Sequence, residues 1–141
     1  MAYSTKQEGA ICLTGGPGLP VGIHEGFFTR PTIFSNISRQ LSIAQEEIFG
    51  PVLAIMPYDT VEEAIAIANS TPYGLSGYVT GDSKQAVLDV ARRLRTGMVL
   101  INGASLSFDA PFGGYRQSGN GREWGTFGVE EFLETKAITG V

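Results

Sequence analysis

The chain has 141 residues with a single cysteine and a single histidine; 43% of it is hydrophobic and 17% charged. Those figures fit one globular domain of ordinary size and exclude an internal disulfide, a structural zinc site built from cysteine and histidine, and a disordered chain. A net charge of −4 argues against a nucleic-acid partner, which needs a clustered basic surface.

Residues 1–10 are polar and hold no apolar core of signal-peptide length. Residues 10–13 form the first short apolar strand candidate. Residues 14–26, with Gly15-Gly16-Pro17-Gly18 and Pro20, read as a loop. Residues 31–34 are a second short strand. A helix is expected over 38–47, with Ser38 as N-cap and Leu41 and Ala44 on one face, until Gly50-Pro51 stops it. The run Val52-Leu53-Ala54-Ile55-Met56 reads as a strand covered on both faces. With only about five residues it is far short of the roughly 20 that span a membrane.

Thr60 and Glu63 have capping-box spacing. Val61, Ala64, Ile65 and Ala68 then fall on one face of a helix, which Pro72 and Gly74 end. Residues 75–80 read as a strand. Asp82 or Ser83 caps the next helix, where Val87, Val90, Ala91 and Leu94 repeat the spacing and Arg92, Arg93 and Arg95 suit the C-terminal dipole. After Gly97, Met98-Val99-Leu100-Ile101 is another buried strand. Strand, helix, strand, helix, strand over 52–102 predicts a βαβαβ unit and a mainly parallel sheet with flanking helices, an α/β fold. Residues 104–121 form a long loop, residues 122–132 have helical potential despite Gly125 and Gly128, and residues 135–141 resemble a terminal strand.

The chemistry visible in the residues alone is modest. The 19 glycines cluster in loops, and neither Gly119-Asn120-Gly121-Arg122-Glu123-Trp124-Gly125 nor the 14–18 stretch fits a dinucleotide or phosphate-loop spacing. Cys12 sits in an apolar strand with no helix start or glycine-rich context to activate its thiol, so a structural role is expected. His24 is a lone loop histidine. Glu46 and Glu47, being adjacent, point to different sides and read as a solvated acidic turn rather than an acid/base pair.

A resemblance changes that reading. Glu46-Glu47-Ile48-Phe49-Gly50-Pro51-Val52 resembles the EEIFGPV signature of the NAD(P)-dependent aldehyde dehydrogenase superfamily. Residues 26–34 resemble its GxFxxPTxF segment, residues 69–75 its AN-x-T-x-YGL, residues 97–102 its GxVxIN, and residues 111–119 its PFGGxKxSG, with Arg116 where lysine is common. Gly121-Arg122-Glu123 and Glu134-Thr135-Lys136 also fit.

The resemblance implies that residues 1–141 are one truncated segment from the C-terminal part of the catalytic domain. It implies that Glu47 binds the nicotinamide ribose hydroxyls of NAD or NADP and that Phe49 packs against the nicotinamide end. It places Phe112 near the substrate tunnel, although an ordinary anchoring role in the core suits that ring equally well. It makes residues 133–141 an oligomerisation strand.

The family's nucleophilic cysteine, general-base glutamate, oxyanion-stabilising asparagine and nucleotide-binding domain lie upstream of such a segment, and Cys12 does not take the nucleophile's place. No catalytic residue and no metal ligand is therefore expected here. The isolated chain should be inactive and should bind cofactor weakly or not at all. The expected partners are a second copy, as a dimer or larger homo-oligomer, or a full-length or split dehydrogenase. The alternative function is a non-catalytic module that assembles with itself or with a dehydrogenase. A cytoplasmic location with no membrane contact is the expectation.

Overall fold

The computed structural model describes residues 8–140. The chain divides between Thr71 and Pro72 into two compact units.

The first unit is built on a three-stranded mixed sheet. Strand β1 (Ile11–Thr14) pairs antiparallel with β2 (Thr32–Ser35), and β2 pairs parallel with β3 (Val52–Ala54). Cys12 lies opposite Phe34, and the register shifts by one before Thr14, a bulge that bends the edge strand. Alternation along β2 sends Thr32 and Phe34 inward. Phe34 is only 1% exposed and forms the centre of a core with Ala10, Ile37 and Ile43. The buried Thr32 hydroxyl is satisfied on both sides: it donates to the Arg30 carbonyl at 2.9 Å and accepts from the Gly16 N–H at 3.0 Å.

Helix α1 is one turn, Ser42–Gln45, shorter than the expected 38–47. Ser38 does not cap it; Leu41 occupies the N-cap position and has no side chain able to do so. The cap comes from far away in sequence. The Glu8 carboxylate accepts from the Ser42 N–H at 2.9 Å and from the Ser42 hydroxyl at 2.8 Å.

Helix α2 (Val61–Ala68) starts as expected, with Thr60 Oγ1 accepting from the Glu63 N–H at 3.1 Å. The return bond is displaced by one residue: Glu63 Oε2 accepts from Asp59 rather than from Thr60. Ile65 is buried on its inner face.

The second unit has a two-stranded parallel sheet, β4 (Ser76–Val79) beside β5 (Met98–Ile101), with Ser76 opposite Met98 and Val79 opposite Ile101. The crossover is helix α3 (Lys84–Arg93), capped by Ser83, whose hydroxyl accepts from the Ala86 N–H at 3.3 Å. Val87 is its buried anchor.

Two sequence expectations are corrected here. β4–α3–β5 is a parallel βαβ unit, but β3 does not join its sheet; it pairs with β2 instead, so 52–102 is not one βαβαβ sheet. The helix between β3 and β4 suggested adjacency, and a non-local pairing with β2 overrode it. Nor is the 52–56 run covered on both faces. Leu53 is 54% exposed, Ile55 is also exposed, and β5 is half-buried along its whole length.

Glycine contacts fasten the loop after β5 to the start of β4. The Gly74 carbonyl accepts from both the Gly97 N–H (3.0 Å) and the Tyr115 N–H (2.9 Å), while the Gly74 N–H donates to Ser118 Oγ at 3.1 Å. A Cβ on Gly97 would run into the Gly113 carbonyl, so this approach admits no side chain.

A 3-10 turn at Arg116–Ser118 and a short helix α4 (Gly125–Glu130) follow. Residues 133–140 are exposed and form no strand within the chain; residue 141, the end of the expected 133–141 strand, lies outside the described residues. Among the described residues no helix is long and apolar enough to cross a membrane, and no group of three histidine, cysteine, aspartate or glutamate side chains is gathered to hold a metal.

Candidate functional site

In the first unit the acidic turn after α1 is held at both ends. The Glu46 N–H closes on the Ser42 carbonyl at 2.8 Å, and the Pro51 carbonyl accepts from the Thr32 N–H at 2.8 Å. Ile48 packs against the Phe34 core. Between these anchors Glu47 and Phe49 are left in solvent, Phe49 with 93% of its surface exposed. Phe49 also has φ of 55°, a left-handed conformation that costs a bulky residue about 1–3 kcal/mol. An exposed aromatic ring held in a strained backbone is unfavourable for folding, and such strain collects at ligand clamps. A free carboxylate one residue away from that ring, across Ile48, suits a ligand with vicinal hydroxyls next to a flat ring.

The second unit places Phe112 differently. Its backbone forms a two-bond bridge with Glu123, both bonds 2.7 Å long. Its ring is half-buried against Trp124, centroids 4.8 Å apart at 36°. Trp124 also meets Phe108 edge-on, at 4.7 Å and 65°. Beside this cluster lies an apolar hollow of about 550 Å³ lined by Trp124, Val129, Phe132 and Leu133. Phe112 lines a second hollow of about 370 Å³ with Leu75, Arg122 and the glycines of 113–121. Arg122 ties that loop together, its Nη1 donating to the Gly114 carbonyl at 3.0 Å and to the Gly121 carbonyl at 2.8 Å.

Glu47 and Phe49 thus share one turn of the first unit, and Phe112 belongs to the second. Sequence reasoning missed Phe108, Trp124 and Arg122 as parts of the site. The one available signal was that the chain's single tryptophan falls just after its longest loop, 104–121. Of the unused candidates, Cys12 is half-buried and donates its thiol to the Thr14 carbonyl at 3.3 Å, and His24 is exposed.

The family model described as the aldehyde dehydrogenase family matches residues 1–138. The chain belongs to the aldehyde dehydrogenase family. It is 60% identical over 133 residues to a 3-succinoylsemialdehyde-pyridine dehydrogenase from a Pseudomonas species, covering 94% of this chain and 28% of that protein. Aldehyde dehydrogenase C from Pseudomonas syringae, solved with NAD+ and octanal, superposes with a TM-score of 0.94 at 52% identity, covering 97% of this chain and 28% of that one. An aldehyde dehydrogenase from Mycobacterium tuberculosis, solved with NAD+, gives 0.89 at 48% identity, covering 93% and 27%. The aldehyde dehydrogenase segment seen here therefore spans a little over a quarter of the length of these relatives, as a small α/β piece with one mixed and one parallel sheet.

Proposed function

We propose that this chain is the C-terminal portion of an NAD(P)-dependent aldehyde dehydrogenase and supplies one end of the cofactor site and one wall of the substrate passage. The observation that carries this is the turn at 46–51, where a strained, exposed Phe49 stands two residues from an exposed Glu47 in a chain of this family. Glu47 accepts hydrogen bonds from the nicotinamide ribose hydroxyls, each charge-assisted bond contributing about 1.5–3 kcal/mol. Phe49 holds the nicotinamide end by ring contact. Phe112 borders the aldehyde. The dinucleotide, when bound, supplies the hydride acceptor. The thiol that attacks the aldehyde is not Cys12, which is itself half-buried and has its Sγ engaged with the Thr14 carbonyl.

Set against the several kcal/mol that association costs in lost translational and rotational freedom, a clamp of two hydrogen bonds and one ring contact leaves about millimolar binding or weaker on its own. Calorimetry of the full chain with NAD+ and NADP+ should therefore show at most weak heats, reduced further by Glu47→Gln. NADH formation measured at 340 nm with a panel of aldehydes should be nil; turnover that survives Cys12→Ala overturns this account of the chain.

The surface favours a second role in assembly. Among the described residues Phe132, Leu133 and Ile138 are exposed by 89%, 63% and 77%, apolar surface that association would cover. We therefore also propose a dimer or larger oligomer, with 133–141 pairing as a strand across the subunit boundary. Light scattering at a clean 15.0 kDa would count against it.

A further inference from the structure

Trp124, in the second unit, reaches two separate loop aromatics at once. Its neighbours in sequence reach the same two places by backbone. Glu123 forms the two-bond bridge with Phe112, and the Gly125 N–H donates to the Phe108 carbonyl at 3.0 Å. The indole lies against both rings, with centroids 4.7 Å from Phe108 and 4.8 Å from Phe112. Gly125 must be glycine for this to happen. Its φ is 57°, and a Cβ there would press on the Asp109 carbonyl at 2.6 Å. Trp124 is itself left-handed, with φ of 65°. Two successive residues are held in unfavourable backbone so that one ring can sit between two loops. A large ring placed this way adds rigidity to the 103–110 segment, which is exposed throughout.

We propose that Trp124 is the positioning residue for the substrate wall. It fixes Phe112 and Phe108 as one aromatic surface, so that the aldehydes admitted are those with an apolar chain or ring to lay against it. This rests on the reading of Phe112 as a substrate wall. Phe108 is 73% exposed even while it touches Trp124, which leaves its outer side free for such contact. A substitution at 124 therefore acts on two places the substrate meets without itself touching the aldehyde.

The test uses the full chain with ¹³C-labelled aromatic rings and n-octanamide, an unreactive amide with an apolar tail, as the probe. In the wild-type chain, ring signals of Phe108 and Phe112 should be shifted by the indole, and octanamide should move the Phe112 signals. Trp124→Leu keeps apolar bulk but removes the stack. It should collapse the shifts at both phenylalanines and weaken octanamide binding by about fivefold, the scale of an aromatic pair. Trp124→Phe should restore binding to within about twofold, since a smaller ring still stacks. Unchanged octanamide affinity in Trp124→Leu, with an intact backbone amide spectrum, overturns the positioning role. Ring signals of Phe108 and Phe112 that do not respond to Trp124→Leu overturn it as well. If octanamide never reaches Phe112 in the wild-type chain while the ring shifts still collapse in Trp124→Leu, then the substrate-wall reading falls and the anchoring of the two loops stands.

Discussion

The turn at 46–51 and the aromatic cluster at 108–124 hold their candidate rings by different means. Phe49 is held by backbone alone. Hydrogen bonds at Glu46 and Pro51 and the packed Ile48 fix the turn, and the ring itself touches almost nothing. Phe112 is held at both levels, its backbone by the two-bond bridge to Glu123 and its ring by an indole that also grips Phe108. A ring presented by the backbone is available to a ligand at once, and substitution there should barely alter folding. A ring presented by packing shares its surface with its supports, so binding and stability are coupled at that place.

Several substitutions sharpen or break this contrast. The largest effect should come from Phe34→Ala, which empties the centre of the first unit's core. It should cost about 3–5 kcal/mol in chemical denaturation, releasing the 46–51 turn through loss of the Ile48 contact. Near-ultraviolet circular dichroism of Trp124 should not follow that loss if the two units unfold separately.

Gly97→Ala should come next, at about 3 kcal/mol, because the new methyl group meets the Gly113 carbonyl. Trp124 fluorescence is the readout, and the amide signals of β1 to β3 should be preserved. Thr60→Ala removes the α2 cap and should cost about 1 kcal/mol, visible as a lowered melting temperature.

The smallest effect belongs to Phe49→Gly. Relief of left-handed strain, about 1–3 kcal/mol, at least offsets the extra chain entropy of glycine, about 0.5–1 kcal/mol. Stability should stay level or rise slightly while any NAD+ heat in calorimetry disappears. A melting temperature that falls by many degrees would show that Phe49 is structural, and the contrast between the two regions would be lost.

Local signals explain what the sequence made legible. Thr60 and Ser83 cap the helices at the spacing their neighbours dictate, and the strand candidates at 10–13, 31–34, 75–80 and 98–101 become strands within a residue or so of those bounds. What stayed hidden depends on distance along the chain. The carboxylate on Ser42 comes from Glu8, 34 residues earlier, and β3 takes β2 as its neighbour although a helix and β4 follow it directly. Exposure was misjudged where an apolar run implied a covered strand, since the run shows which residues want burial and not what is present to bury them. At the site, Glu47 and Phe49 were legible only through the family resemblance. Nothing in the spacing of Phe108, Phe112 and Trp124 reveals that the three rings meet.

The junction at Gly74 has a consequence for how the second unit is made. The Gly74 peptide accepts from residue 97 and residue 115 and donates to residue 118, 44 positions away. During synthesis, β4, α3 and β5 can emerge and pair while that carbonyl still lacks its second donor. Closing the junction requires a long loop to return and pay its ordering entropy late. The bonds at Tyr115 and Ser118 should therefore form only after β4 and β5 have paired, and a ribosome paused just after β5 should display a nascent chain whose Gly74 amide exchanges freely with solvent.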